Sequence, residues 1–367
     1  MTRRLISTRL EVDGAPRILE VRESGPEDAH LPQYDFTTLT AVNTCPAWGI
    51  VRYIHSRAVG SGGRSMALEA GSACHRVFAA ERIWHLMHEQ KLPAHALHHG
   101  PAMFGKEAFA QMLDYAGATR DPTTARLNFC LEALMTSGFY DDPRDRRRTM
   151  TNLEEACIAY IDRTDACRRA VWISDGATST SPVGIEVGFD VRVACGGYDL
   201  PFRFVGRVDG IHRDNETGEI VVQENKTSSR LDDAWRESFI MSHQTTGYCI
   251  GVAPLVGTLP CTTKVHGLAI PLPKSYDAGG VVSETYPRHD HQFLEWFKWA
   301  RATSDIIDAY RERPHTAPQY THSCNRYFRP CSMIPYCSAT PQDRQDMLTE
   351  LNYEPWNPLH DGGNVNE

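Results

Sequence analysis

The sequence predicts an α/β fold in which a central mixed β-sheet is flanked by helices. Residues 37–175 carry apolar side chains at helical spacing with few interruptions. Residues 183–227 hold three strand-like runs separated by turns rich in Gly and Asn, and a helical stretch at 236–254 is followed by two more such runs. Helices placed before, within and after a set of strands lead to layers of both kinds around one sheet rather than to a sandwich or a bundle.

In chain order, residues 1–36 mix Pro, Gly and charges and read as irregular, with one strand at Arg17 to Glu23. A helix is expected from Thr37, whose side chain is suited to capping, through Leu39 and Val42 to the break at Cys45-Pro46. A second helical piece covers 47–57, Gly60 to Gly63 form a turn, and Ser65 to Lys91 read as one long helix. Residues 103–175 continue as helix, interrupted near Asp141 to Arg148. Strands at 183–194, 201–213 and 218–227 form a meander with turns at Gly196-Gly197 and Asn215 to Gly218. The helix at 236–254, strands near 262–271 and 281–287 and a helix from His291 to Arg313 complete the pattern. This divides the chain into an irregular segment (1–36), a helical region (37–175), a core (176–290), a C-terminal helix with a cysteine-rich segment (291–340) and a tail (341–367) whose last dozen residues fray.

With 367 residues and 41% hydrophobic content, the chain can bury a large core in one elaborated domain or in two packed parts. Its first residues, with two arginines, lead into Glu11, Asp13 and Glu20 rather than an apolar stretch, and no run approaches a membrane span. A cytoplasmic protein without membrane contact is expected. The formal charge of -8 excludes a coat of positive charge, so any nucleic acid must be met by local basic groups.

Chemistry concentrates in three stretches: Gly206-Arg-Val-Asp209-Gly, Glu219-Ile-Val-Val-Gln-Glu224-Asn-Lys226, and Gln244-Thr-Thr-Gly-Tyr248. Side chains alternate along a strand, so Ile220, Val222, Glu224 and Lys226 share one side, and an apolar row ends in an acid and a lysine. Charges aligned with buried residues are costly unless paired or bound to metal, which makes such places functional candidates. Gln244 and Tyr248, four apart, share a helix face. The acid-x-lysine pattern is common by itself, and Glu89-Gln90-Lys91 repeats it at the end of a helical stretch with no partner acid on a neighbouring strand.

The ordered set Asp209, Glu224-x-Lys226, Gln244-x-x-x-Tyr248 resembles the PD-(D/E)XK nuclease superfamily and, more narrowly, its RecB-like branch. His75, in Gly71-Ser-Ala-Cys-His75, resembles the Gly-x-x-x-His motif of that branch, with Gly71 one turn earlier leaving room for a close neighbour. The resemblance spans about 37–340 and implies a restriction-endonuclease-like core. It also implies an Mg2+- or Mn2+-dependent deoxyribonuclease, acting as an exonuclease on single strands or duplex ends in recombination, repair or phage DNA processing. Asp209, Glu224, His75 and the backbone carbonyl of Asn225 would hold the metal, Lys226 would orient water or stabilise phosphate charge, and Gln244 and Tyr248 would position the lysine and the DNA backbone. Glu186, on the preceding strand, is expected near the metal. No phosphate-binding Gly-x-x-x-x-Gly-Lys-Ser/Thr loop is present, so ATP-driven unwinding would need a helicase or other partner. A nuclease trimming DNA within a CRISPR adaptation complex, and a non-catalytic DNA-binding scaffold, are the rival readings.

Of 11 cysteines, most sit singly in apolar surroundings. Cys324, Cys331 and Cys337 fall together in the tail, and Cys45 stands near the N-terminus. The four resemble the ligand set of the iron-sulfur subgroup of RecB-like nucleases, AddB-type and CRISPR-associated enzymes included, which implies a [4Fe-4S] cluster acting as a clamp. Five residues between Cys331 and Cys337 match that subgroup, whereas six separate Cys324 from Cys331 where its best-known spacing has two. Zinc, with His322 joining the sulfurs, and free thiols are the alternatives. For DNA contacts, Arg203, Arg207 and Arg230 are the leading phosphate-binding candidates, with Arg326 and Arg329 beside the cysteines. Trp48, Trp235 and Tyr327 are candidates for stacking on bases, and Arg144 to Arg148 read as a DNA-contacting loop or a solvated charge run.

Overall fold

A computed structural model describes residues 4–59, 65–163, 169–174, 178–271, 280–326 and 329–357. The expected turn at 60–63, Tyr327 and nearly all of the last dozen residues lie outside these. The chain forms β1 (Leu5–Val12), β2 (Ala15–Glu23), β3 (Gln33–Tyr34), α1 (Phe36–Thr44), α2 (Pro46–Gly49), a π-helical turn at Ile50–Ile54, and β4 (Arg57–Ala58). Five helices follow: α3 (Met66–His88), α4 (Pro93–Phe104), α5 (Lys106–Gly117), α6 (Pro122–Met135) and α7 (Met150–Arg163). Next come β5 (Arg169–Val171), β6 (Ile185–Cys195), β7 (Tyr198–Asp199), β8 (Arg203–Asp214), β9 (Ile220–Ser228), α8 (Asp233–Glu237), α9 (His243–Val256), β10 (Thr262–Ala269), β11 (Val281–Pro287) and α10 (Asp290–Tyr310). The tail holds β12 (Asn325–Arg326), β13 (Arg329–Pro330), α11 (Ile334–Cys337), α12 (Pro341–Glu350) and β14 (Asn352–Tyr353). The α/β class is as expected, with a helical region ahead of a mixed sheet that carries helices.

Two compact units divide the chain, and they do not follow sequential segments. The first joins residues 1–64, 189–206 and 290–367. The N-terminal segment is not irregular: β1 and β2 form a hairpin closed by Asp13-Gly14, both at positive φ, the conformation that a two-residue turn between twisted strands requires. β2 then pairs antiparallel with the second half of β6, which is why residues distant in sequence share this unit. Leu10, Leu19, Leu39, Phe202, Phe204 and Trp296 are buried in it, the last two in edge contact at 4.8 Å. Helix α1 is capped by Asp35, which accepts from the Thr38 N–H, rather than by Thr37.

The second unit, residues 65–188 and 207–289, contains the expected motifs. Positions Val77 through Leu86 of α3 are all buried, so this helix is enclosed on every side by its neighbours rather than amphipathic. Helices α4, α6 and α7 pack on it. The expected helical run to 175 ends sooner, because Arg169–Val171 pair with the end of β8 as a strand. β8 and β9 are antiparallel, β9 and β10 parallel, β10 and β11 antiparallel. β9 carries unbroken burial from Ile220 to Asn225, since α3 and α9 both pack on it, so both of its faces are covered rather than one. The helix expected at 236–254 is two: α8 stops, and Ser242 caps α9 by accepting from the Thr245 N–H. Arg288 fixes that break, donating to the carbonyls of Phe239 and Ile240 at 2.7 Å each and to the Thr245 hydroxyl at 2.8 Å.

Candidate active site

The β8/β9 ladder runs from Arg213↔Ile220 to Gly210↔Gln223, and the next residue of β8, Asp209, turns its carboxylate onto β9. Its Oδ2 accepts from the Asn225 N–H at 2.6 Å. Gly210 permits this approach of the two strands: a Cβ there would lie 2.8 Å from His212 Nε2 and 3.2 Å from the Gln223 Cβ. The other oxygen, Oδ1, stands 3.3 Å from His75 Nδ1, delivered by α3. A Cβ on Gly71 would meet only Thr227 Oγ1, at 3.4 Å, so this glycine lies against the end of β9 as its place one turn before His75 suggests.

Glu186 enters from the start of β6. Ligand atoms of His75, Glu186 and Asp209 lie within 4.8 Å of one another, and among the described residues no other such group of three His, Cys, Asp or Glu is that tight. Glu224 is buried, with Oε1 in an ion pair with Lys226 Nζ, while Oε2 is buried without a hydrogen-bond partner. Of the expected residues, His75 and Asp209 are brought together and Lys226 pairs with Glu224, while Glu186 joins the first two more closely than sequence reasoning placed it. The N–H and C=O of a strand residue leave on one edge, so the Asn225 carbonyl lies on the edge of β9 that receives Asp209. Gln244 donates to the Tyr248 hydroxyl at 2.9 Å, joining the two expected residues on one face of α9.

The electrostatics are those of acids crowded away from water. Burial pushes Glu186 up to about 8, with the Asp209 charge adding to it, and pushes Glu224 up to about 7 for the same two reasons. Asp209 is held below the ordinary range: burial works against it, but His75, Lys226 and the Asn225 N–H prevail. Burial acts to lower His75, yet Asp209 and then the charges of Glu186 and Glu224 carry it up to about 9. Lys226 is raised, its burial outweighed by Glu224.

Behind β9 lies a buried polar chain that sequence reasoning missed. Asn225 Oδ1 accepts from Gln223 Nε2 at 2.8 Å and from the Tyr160 hydroxyl at 3.3 Å, and Gln223 Oε1 accepts from Arg82 Nη2 at 2.5 Å. The available signal was Arg82, two turns beyond His75 on the same helix, which with Glu81 interrupts a mostly apolar run.

Other expected residues are placed elsewhere. Arg203 forms an ion pair with Asp190 at 2.8 Å. Arg207 is half-buried and its charge bears on Glu186, so it belongs to the acid cluster, while Arg230 is exposed on the loop leaving β9. Arg144 and Arg148 are paired with their own neighbours Asp142 and Asp145, at 2.7 and 2.8 Å, while Arg146 and Arg147 are exposed on the same loop. Trp48 packs beside Val51, Met333 and Tyr336, and Trp235 stands at 4.9 Å from the Phe239 ring and over Gly267, so both are packing residues. Glu89 caps the end of α3 and Lys91 follows it on the surface, as an incidental repeat would.

Cys45, Cys324, Cys331 and Cys337 all fall in the first unit. The Cys337 thiol is pushed up to about 11, first by burial and then by the sulfurs of Cys45, Cys331 and Cys324. The Cys331 N–H donates to the Cys324 carbonyl at 2.8 Å, closing the longer loop between them. The Ala47 N–H donates to the Pro318 carbonyl at 3.1 Å and Gln319 Nε2 to the Cys337 carbonyl at 2.9 Å, so the segment after Cys45 meets the tail. His322 is exposed and stacks on Tyr320. No known protein family and no curated protein matches the chain.

Proposed function

We propose that the chain is a metal-dependent deoxyribonuclease of RecB-like type, an exonuclease that hydrolyses phosphodiester bonds of single strands or duplex ends. One observation carries the reading: His75, Glu186 and Asp209, from three separate elements, bring ligand atoms within 4.8 Å of one another, and Glu224, on whose carboxyl the charges of Asp209 and His75 act, keeps its inner oxygen buried with no hydrogen-bond partner. Three buried acids that share one lysine, one histidine and the charge of the half-buried Arg207 still leave Glu186 and Glu224 raised, and a divalent cation would relieve that crowding. The donor set, three carboxylates, a carbonyl edge and one imidazole, fits a small hard divalent ion such as Mg2+ or Mn2+. His75, Glu186, Asp209 and Glu224 would hold it, and its chemistry there is to acidify water and neutralise phosphate charge. Lys226, kept protonated by Glu224, offers a cation to a phosphate oxygen. Gln244 and Tyr248 present hydroxyl and amide groups from α9 for the DNA backbone.

The test uses 5′- and 3′-labelled single and double strands with and without Mg2+ or Mn2+. Glu224→Ala and Lys226→Ala are each expected to lower cleavage by about 10³-fold, the several kcal/mol that a lost metal-site interaction costs, with the fold retained. Cleavage at the wild-type rate by either variant overturns the site.

For the four cysteines we infer a [4Fe-4S] cluster. Four thiolates on one zinc ion, at about 2.3 Å each, would stand about 3.8 Å apart. Among the described residues no three cysteine sulfurs are within 4.8 Å of one another, although three of them act on the fourth. Such a cluster would join the Cys45 segment to the tail.

A further inference from the structure

We propose that Arg82, Gln223 and Asn225 form a positioning relay that sets the Asp209 carboxylate and the end of β9 for the divalent cation, an inference that rests on the nuclease reading above. Beyond Gly210↔Gln223 the β8/β9 ladder stops, so β8 supplies no main-chain register at the point where the metal-binding groups begin. What holds Asp209 to β9 there is the hydrogen bond from the Asn225 N–H. The Asn225 side chain points to the face opposite Glu224, where Gln223 Nε2 and the Tyr160 hydroxyl both donate to its Oδ1.

The chain has a direction. A guanidinium only donates, so Arg82 obliges the Gln223 amide to present its oxygen to α3 and its NH2 to Asn225. That NH2 in turn obliges Asn225 to present Oδ1. All three are shut from water, with Arg82 at 5%, Gln223 at 2% and Asn225 at 3% exposure. A buried guanidinium normally meets a carboxylate, but the adjacent acid on α3, Glu81, is committed to Arg126 at 2.9 Å, and Arg82 is spent on an amide. Packing alone gives no reason to bury a cation against an amide. Position on the helix gives one: His75 and Arg82, two turns apart on α3, thereby govern both oxygens of Asp209, Oδ1 directly and Oδ2 through Gln223 and Asn225. The residue between the glutamate and the lysine is then a positioning residue rather than a spacer.

The test compares Arg82→Met/Gln223→Leu with wild type, because removing a buried cation together with its amide leaves no orphaned charge, roughly preserves volume and leaves Asn225 Oδ1 the Tyr160 hydroxyl. The expected result is a thermal midpoint within a few degrees of wild type, with Mn2+ affinity by calorimetry, in the absence of DNA, lowered about tenfold or more. kcat should fall while KM for DNA holds. A variant with wild-type stability that binds Mn2+ within about twofold of wild type overturns the relay. Should the double variant not fold, Asn225→Ala, which adds no volume and keeps the N–H on Asp209, gives the same readout: about tenfold weaker Mn2+ binding is expected, and unchanged binding overturns the relay. Wild-type protein that binds no Mn2+ overturns the nuclease reading and the relay's role with it.

Discussion

Glu186 sits at φ +49° near the start of a strand, a conformation that L-residues with a side chain enter at a cost of about 1 kcal/mol or more. It brings a carboxylate toward Asp209, a like charge, so the metal-free protein bears both backbone strain and repulsion at one residue. Glu186→Gly is therefore expected to raise the stability of the metal-free protein by about 1 kcal/mol in urea titration while sharply weakening Mn2+ binding. A loss of stability would show that the side chain has a packing role instead. Proton linkage works at the same residues. Glu186, Glu224 and His75 all have folded values, about 8, 7 and 9, above their ordinary ones. The folded state thus binds more protons than the unfolded one across that range, and stability is lost as pH rises through about 7 to 9. The metal-free thermal midpoint should fall from pH 6 to pH 9, and Mg2+ or Mn2+ should raise it most at the alkaline end, where the ligands are deprotonated. Asp209 and Lys226 shift outside this window. The pairs Glu224 with Lys226 and Gln244 with Tyr248 were legible in sequence because strand alternation and helical i+4 spacing are local rules, whereas His75 and Asp209 stood out only through the resemblance. The weight of Glu186 was not, since an unusual φ depends on what packs around it.

At the scale of elements, the start of β6 is held by a three-way exchange of main-chain bonds. The Trp172 N–H donates to the Ile211 carbonyl at 2.9 Å, Gly184 to Trp172 at 2.8 Å, and Ile211 to Gly184 at 3.0 Å. A Cβ on Gly184 would stand 2.1 Å from the Ile211 oxygen. Gly184→Ala should destabilise the protein by about 1–3 kcal/mol in chemical denaturation and reduce metal affinity by moving Glu186, two residues on. Wild-type stability would mean that β6 and β8 can separate there without cost. The strands and the long helix of the second unit were readable because they carry long apolar patterns. The β1–β2 hairpin was not, because β1 is largely exposed and its alternation is faint. Its Asp13-Gly14 turn was the better signal.

At the scale of the whole molecule, the first unit draws on three separate stretches of chain, with the tail sewn to the N-terminal helices. Arg57 and Tyr353 pair as strands, Arg52 donates to the Glu354 carbonyl at 2.8 Å, and Met333 and Tyr336 bury against Val51. A cluster held by Cys45 and the tail cysteines would cross-link the same junction and close a long loop of chain. Protein purified without oxygen is expected to be brown, with absorbance near the blue end of the visible spectrum. Cys331→Ser should remove the colour and lower the thermal midpoint by several degrees while Mn2+ binding persists. A colourless wild-type protein with stoichiometric zinc would reject iron-sulfur. No helix among the described residues is long and apolar enough to cross a membrane.

The sequence by itself determined the α/β class, because periodicity survives without any knowledge of packing, and its motif order named the candidate site residues and cysteines only as a resemblance. Only the tertiary structure decided that Arg203 pairs with Asp190, that Glu186 joins His75 and Asp209, and that a buried chain from Arg82 reaches the same aspartate. Each depends on which side chains meet after distant elements pack, and burial, which sets both the pKa shifts and the value of a hydrogen bond, exists only once they have.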